Sequence, residues 1–167
     1  DFIWISHEHP DHFSIHFFKK YLDIIKKNNI KIIFQKTFDK RVINFLKKIN
    51  IITIELKDFE KYTIIDGFVI SLFKNGFYDS AIIFEIGDKT IVNLNDCPIS
   101  ELNILKKIKN KINKCDILLT QFSYAAWKGG KDNINWRIDA ANQKINTLKL
   151  QSKILDASYT IPFASFV

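Results

Sequence analysis

Three of the four histidines in this 167-residue sequence fall within one hexapeptide, His7-Glu8-His9-Pro10-Asp11-His12, directly after the apolar run Phe2-Ile3-Trp4-Ile5-Ser6. Imidazole and carboxylate donors at this density are what a divalent metal site needs, and little else requires them. The preceding run is β-branched and aromatic and too short for a helix, so it reads as a buried strand. Along extended backbone alternate side chains share a face, which points His7 and His9 one way and Glu8 the other. Pro10 holds His9 extended and removes a backbone donor. Beyond it the chain can turn and present Asp11 and His12 towards a second position. That pattern suits two metal ions about 3.5–4 Å apart, carried on a rigid strand end.

The rest of the chain reads as alternating strands and helices. Ile15, Phe18, Leu22 and Ile25 recur at helical spacing, with Ser14 as cap and Asn28-Asn29 as stop. Lys31 to Phe34 is a short strand, followed by a helix over 38–49. Strands are expected at Ile51 to Leu56, Tyr62 to Ile65, Phe68 to Phe73, Ala81 to Ile86 and Thr90 to Leu94. Asp66-Gly67 and Gly87-Asp88 supply hairpin turns between them. A helix over 99–112 opens at Pro98 or Ser100, Asp116 to Thr120 is a buried strand, and a polar helix spans 133–150. The chain closes on the apolar stretch Tyr159 to Val167. With no repeat, linker or low-complexity tract, the economical assignment is one α/β domain over 1–167.

Composition narrows the function classes. A 47% hydrophobic and 14% aromatic content supports a folded core. The net charge of +7 invites a nucleic-acid partner, but Arg41 and Arg137 are the only arginines. The lysines are scattered over helix faces, as solvated surface charge is. The expected partner is therefore a small-molecule substrate rather than nucleic acid. No apolar run approaches the ~20 residues of a membrane span. Cys97 and Cys115 form no CxxC motif, which fits a reducing, cytoplasmic setting. The sequence has no methionine, so the chain reads as an internal fragment.

The motif His-x-His-x-Asp-His after a strand resembles the signature of the metallo-β-lactamase-fold superfamily. The resemblance implies an α/β fold of the αββα sandwich type, here lacking its N-terminal strands and C-terminal end. It implies His7 and His9 on a first zinc, Asp11 and His12 on a second, and a bridging aspartate at the end of a later strand. Asp96, in Thr90-Ile91-Val92-Asn93-Leu94-Asn95-Asp96-Cys97, matches that last position. A narrower resemblance covers Asp79-Ser80-Ala81-Ile82-Ile83-Phe84, Asn95-Asp96-Cys97 and Thr120-Gln121-Phe122-Ser123-Tyr124-Ala125-Ala126-Trp127. These stretches are similar to the branch containing the ascorbate-6-phosphate lactonases and the hydrolase-like part of CMP-N-acetylneuraminate hydroxylase. By that likeness Gln121, Ser123 and Trp127 lie near the metal mouth and contact substrate.

The superfamily supplies two further histidines, yet none follows His16 in this chain. The mid-chain position reads Asn75-Gly76-Phe77-Tyr78-Asp79-Ser80, where Asp79 offers an oxygen ligand and Asn75 a weaker one. His16 pairs with His12 only if a helix runs through both, and it sits beside the polar face of Lys19, Lys20 and Asp23. An oxygen-richer donor set keeps iron or manganese open alongside one or two zinc ions.

The expected activity is metal-dependent hydrolysis of an ester, lactone or phosphodiester by a metal-activated hydroxide, with Asp11 binding metal or orienting the nucleophile. The alternative is a catalytically degenerate metal-binding accessory domain, part of a larger sugar-modifying protein like the sialic-acid hydroxylase.

Overall fold

Alternation within single strands sets the layering of this chain. The computed structural model describes residues 1–76, 79–123 and 132–163. Strands β1 (Phe2–Ile5), β2 (Lys31–Gln35) and β3 (Thr53–Leu56) form a parallel three-stranded sheet in that order. On β2, Ile32 and Phe34 point to one face, where they pack with Phe18, Ile25, Val42, Ile43 and Leu46. Those residues come from helices α1 (Ile15–Lys20), α2 (Leu22–Lys27) and α3 (Arg41–Lys48). Ile33 points to the opposite face and meets Ile70, Leu72 and Ile82.

Those three belong to the second sheet, of six strands in the order β4 (Lys61–Ile65), β5 (Phe68–Asn75), β6 (Asp79–Ile86), β7 (Lys89–Asn93), β8 (Cys115–Gln121) and β9 (Ala157–Phe163). Neighbours from β4 to β7 are antiparallel, and β7, β8 and β9 are parallel. The parallel crossovers carry helices α4 (Leu102–Lys109) and α5 (Ile134–Leu155). Ile82 faces the first sheet, while its neighbours Ala81 and Ile83 face Leu105, Ile108 and Leu155 on the two helices. Period-two side-chain direction thus builds helices, sheet, sheet, helices: an αββα sandwich with three apolar seams.

Gly67 (φ 74°) and Gly87 (φ 57°) lie in the hairpins β4–β5 and β6–β7, where positive φ matches the strand twist. All four expected helices depart from the pattern reading; the one expected over 38–49 runs only from Arg41 to Lys48. The helix after Ser14 divides at Tyr21, whose ring packs on Phe17 at 5.0 Å and whose backbone leaves helical dihedrals. Helix α4 starts after Glu101, not at Pro98 or Ser100. Helix α5 runs past 150 to Leu155, because Leu150, Ile154 and Leu155 dock on the seam beneath it. It ends where Asp156 turns left-handed (φ 55°). The last strand begins at Ala157, earlier than expected, and residues 164–167 of the expected stretch lie outside the described ones. Among the described residues no helix is long and apolar enough to cross a membrane.

Candidate metal centre

Two strand ends build the site. Strand β1 stops at Ile5, and Ser6 and His7 continue it into the buried interior. The His9 carbonyl then accepts from the backbone N–H of His12 at 2.9 Å and of Phe13 at 2.7 Å. This tight turn around Pro10-Asp11 folds His12 back over His7, with ring centroids 4.2 Å apart. On the other sheet β7 stops at Asn93. Asn95 takes a left-handed conformation (φ 49°), which asparagine tolerates better than most side chains. The Asn93 side chain accepts from its N–H at 2.9 Å. The turn aims Asp96 at the histidines, and His12 Nε2 lies 2.9 Å from Asp96 Oδ2. One ligand atom each from His7, His12 and Asp96 falls within 4.8 Å of the others. Two imidazole nitrogens and a carboxylate oxygen so placed fit a first-row divalent ion.

The other sequence-derived candidates gather unevenly around this group. His9 Nδ1 is 2.7 Å from His7 Nε2, although the His9 ring is otherwise exposed. Asp11 Oδ2 is 3.5 Å from His12 Nε2, and 76% of its side chain faces solvent. Asp79, first residue of β6, places Oδ1 at 3.6 Å from His7 Nδ1, so it faces the other ring nitrogen. Glu8 turns away to accept from Arg41 at 2.7 Å. His16 is exposed on α1. Gln121 ends β8 and accepts from Lys144 on α5 at 2.9 Å. Ser123 is buried just beyond it. Trp127 lies outside the described residues.

Hydrogen-bond directions in the cluster follow from what each group can donate; the tautomers are assigned by that logic. The ionised Asp96 carboxylate only accepts, so His12 Nε2 donates to it. With its Nε2 hydrogen so used, His12 accepts at Nδ1 from the Ser6 hydroxyl, 3.3 Å away. With that hydrogen used, Ser6 Oγ accepts from His7 Nδ1 at 3.0 Å and from the Asn95 amide at 2.6 Å. His7 Nε2 finally accepts from His9 Nδ1. Each donor meets one acceptor, and an ion at His7 Nε2 would take over the lone pair that accepts from His9 Nδ1. Burial pushes the His7 pKa below the usual imidazole value, and nearby His12 adds to this. His7 therefore stays neutral, as ligation needs.

Sequence reasoning passed over Ser6, Ser80, Asn95 and Lys144. The Ser6 carbonyl accepts from Ser80 Oγ at 2.8 Å and from Gln35 Nε2 at 3.4 Å, so strands β6 and β2 both fix the residue before the first histidine. The signal for Ser6 and Asn95 was adjacency to ligands, and such hydrogen-bonding neighbours orient them. Lys144 carries no such signal in a lysine-rich sequence.

Comparison with solved structures places this fold. The chain superposes on CmlA, a diiron β-hydroxylase from Streptomyces venezuelae, with a TM-score of 0.68 at 12% identity, covering 98% of this chain and 35% of that one. It superposes on the metallo-β-lactamase fold protein YhfI from Bacillus subtilis with a TM-score of 0.64 at 14% identity, covering 99% and 65%. The short form of human tRNase Z gives 0.56 at 14% identity, covering 98% and 72%. The chain has the metallo-β-lactamase fold. It spans about a third of the length of CmlA and just under two thirds of YhfI. No protein-family model matches the sequence, and no curated protein matches it.

Proposed function

We propose that this chain carries the metal site of a hydrolase acting on an ester, lactone or phosphodiester. One observation carries the reading: Asp96 meets His12 at 2.9 Å across 84 residues of sequence, completing a His-His-Asp group between the two sheets. Titratable donors converging from separate strands are where a binding or catalytic site is sought.

His7, His12 and Asp96 would hold the ion, and His9, Asp11 and Asp79 are the proposed further ligands, for a second ion or to complete the first. When bound, a divalent ion lowers the pKa of a water towards neutrality and polarises a carbonyl or phosphoryl oxygen. Asp11 faces solvent beside His12, where its carboxylate can accept a proton from an attacking water and orient it. Asp79 places negative charge 3.6 Å from His7 Nδ1, beside the ring that Ser6 orients. Gln121, Ser123 and Trp127 are the proposed substrate contacts. Zinc is the expected ion.

The test pairs elemental analysis with a panel of simple esters, lactones and phosphodiesters. Wild-type protein is expected to hold metal and turn over one class, and His12→Ala to lose both. Turnover undiminished after metal removal overturns the reading. The oxygen-rich donor set and the likeness in fold to a diiron hydroxylase favour a second reading, in which the chain holds iron within a larger oxidising protein. An X-ray absorption edge on the purified protein separates the two, and metal without any turnover favours an accessory role.

A further inference from the structure

Lys144 is half-buried on the face of α5 that overhangs the carboxyl end of β8. Its Nζ donates to Gln121 Oε1 at 2.9 Å, and it lies close enough to Asp96 to feel that carboxylate. Strands β7 and β8 are parallel neighbours, with Asn93 opposite Leu119. Asp96 and Gln121 therefore leave the sheet at the same edge, the carboxyl edge where open α/β sheets receive ligands.

The charge balance there is incomplete. Lys144 has no carboxylate at ion-pair distance among the described residues; its hydrogen-bond acceptor is a neutral amide. Burial pushes the ammonium's pKa down, and Asp96 opposes that shift. An ion held by Asp96 would take up that carboxylate's charge. The lysine would then face the site with a partly desolvated positive charge and no counter-charge, a costly state unless an anion joins it.

We propose that Lys144, held in place by Gln121, is a specificity residue that receives a carboxylate or phosphate on the substrate. The substrate class is then an ester or lactone with an anionic group one short chain away from the bond that is cleaved. The reaction part of this statement rests on the hydrolase reading; the anion site does not require turnover. An ammonium is a point charge and accepts either anion, whereas the planar arginine fork would select by geometry.

Binding is measured first, by protein-observed NMR on zinc-loaded protein with three probes of similar length: monomethyl succinate, methyl phosphonopropanoate and neutral methyl butyrate. Either anionic probe should bind at least about tenfold more tightly than methyl butyrate, with the Lys144 side-chain signal moving. The better of the two identifies the preferred anion. In Lys144→Gln that ratio should fall to about one, and Lys144→Arg should keep most of it. Amide dispersion of both variants checks that they fold. Equal binding of all three probes, or a ratio that survives in Lys144→Gln, overturns the proposal. Hydrolysis of para-nitrophenyl butyrate and the para-nitrophenyl half-ester of succinate is measured separately. An anion preference without hydrolysis of either ester sinks the hydrolase reading and leaves the anion site standing. Hydrolysis without a preference does the reverse.

Discussion

Asn95 donates its side-chain amide to the Ser6 hydroxyl across 2.6 Å, tying the end of β7 to the end of β1. Ser6 Oγ in turn sits 3.0 Å from His7 Nδ1 and 3.3 Å from His12 Nδ1, so one hydroxyl orients two proposed ligands. Ser6→Ala removes this support and leaves every proposed ligand side chain in place. Metal affinity should fall about 10–100-fold with the fold intact, measured by competition with a chromophoric chelator. Unchanged affinity would mean that the turn around Pro10 alone sets the rings.

His12→Ala and Asp96→Ala each remove a member of the three-ligand group. Each should cost most of the metal content, and the double variant should be little worse than either single one, since residues sharing one site are non-additive. Additive losses would place the two residues at separate ions.

Arg41 bridges Glu8 at 2.7 Å and Asp39 at 2.6 Å, linking the metal loop to the turn before α3. The pairs are largely exposed, so Arg41→Lys should change global stability by less than about 1 kcal/mol. Lysine cannot span both carboxylates, and Glu8 lies between His7 and His9. Metal release should quicken while the urea midpoint barely moves. A large midpoint shift would show that the bridge holds the fold rather than the loop.

Leu118 on β8 is fully buried in the seam between the six-stranded sheet and helices α4 and α5. Leu118→Ala should destabilise by about 2–5 kcal/mol in urea unfolding. A loss well under about 1 kcal/mol would mean that the seam collapses around the vacancy.

Asp116 Oδ2 accepts from the Thr90 backbone N–H at 2.8 Å, and this bond, aided by Lys114 and Lys89, holds its carboxyl below the usual aspartate value. A depressed folded-state pKa stabilises above the unfolded value and loses that effect as pH falls through the folded one. Asp116→Asn should therefore be less stable than wild type at neutral pH, with the gap closing as pH falls through and below the ordinary aspartate range. A gap of constant size across that range would assign the effect to the hydrogen bond's geometry alone.

The layering is legible in the sequence because it rests on local period: Ile32, Ile33 and Phe34 need only be a strand to face two seams. The position of the cluster is legible for the same reason, since His7 to His12 are neighbours in the chain. Its hydrogen bonding is not. Ser6, Asn95 and Lys144 matter through contacts between elements far apart in sequence, and no periodicity encodes which serine meets which asparagine. The extent of α5 is hidden likewise, because Leu150, Ile154 and Leu155 are separated by Gln151, Ser152 and Lys153, and only the seam beneath shows which side counts.

The 84-residue separation of His12 and Asp96 makes the site an act of closure as much as of recognition. Loop entropy must be overcome before these donors meet, and it grows only slowly with length. The donors therefore do not exist as a set in the unfolded chain. An ion at a hundred times its dissociation constant would add about 2.7 kcal/mol to folding, all of it to the state in which the two sheets are docked. Metal occupancy would then act as a rivet between sheets, and its loss under a chelator would be felt first as separation of β1 from β7.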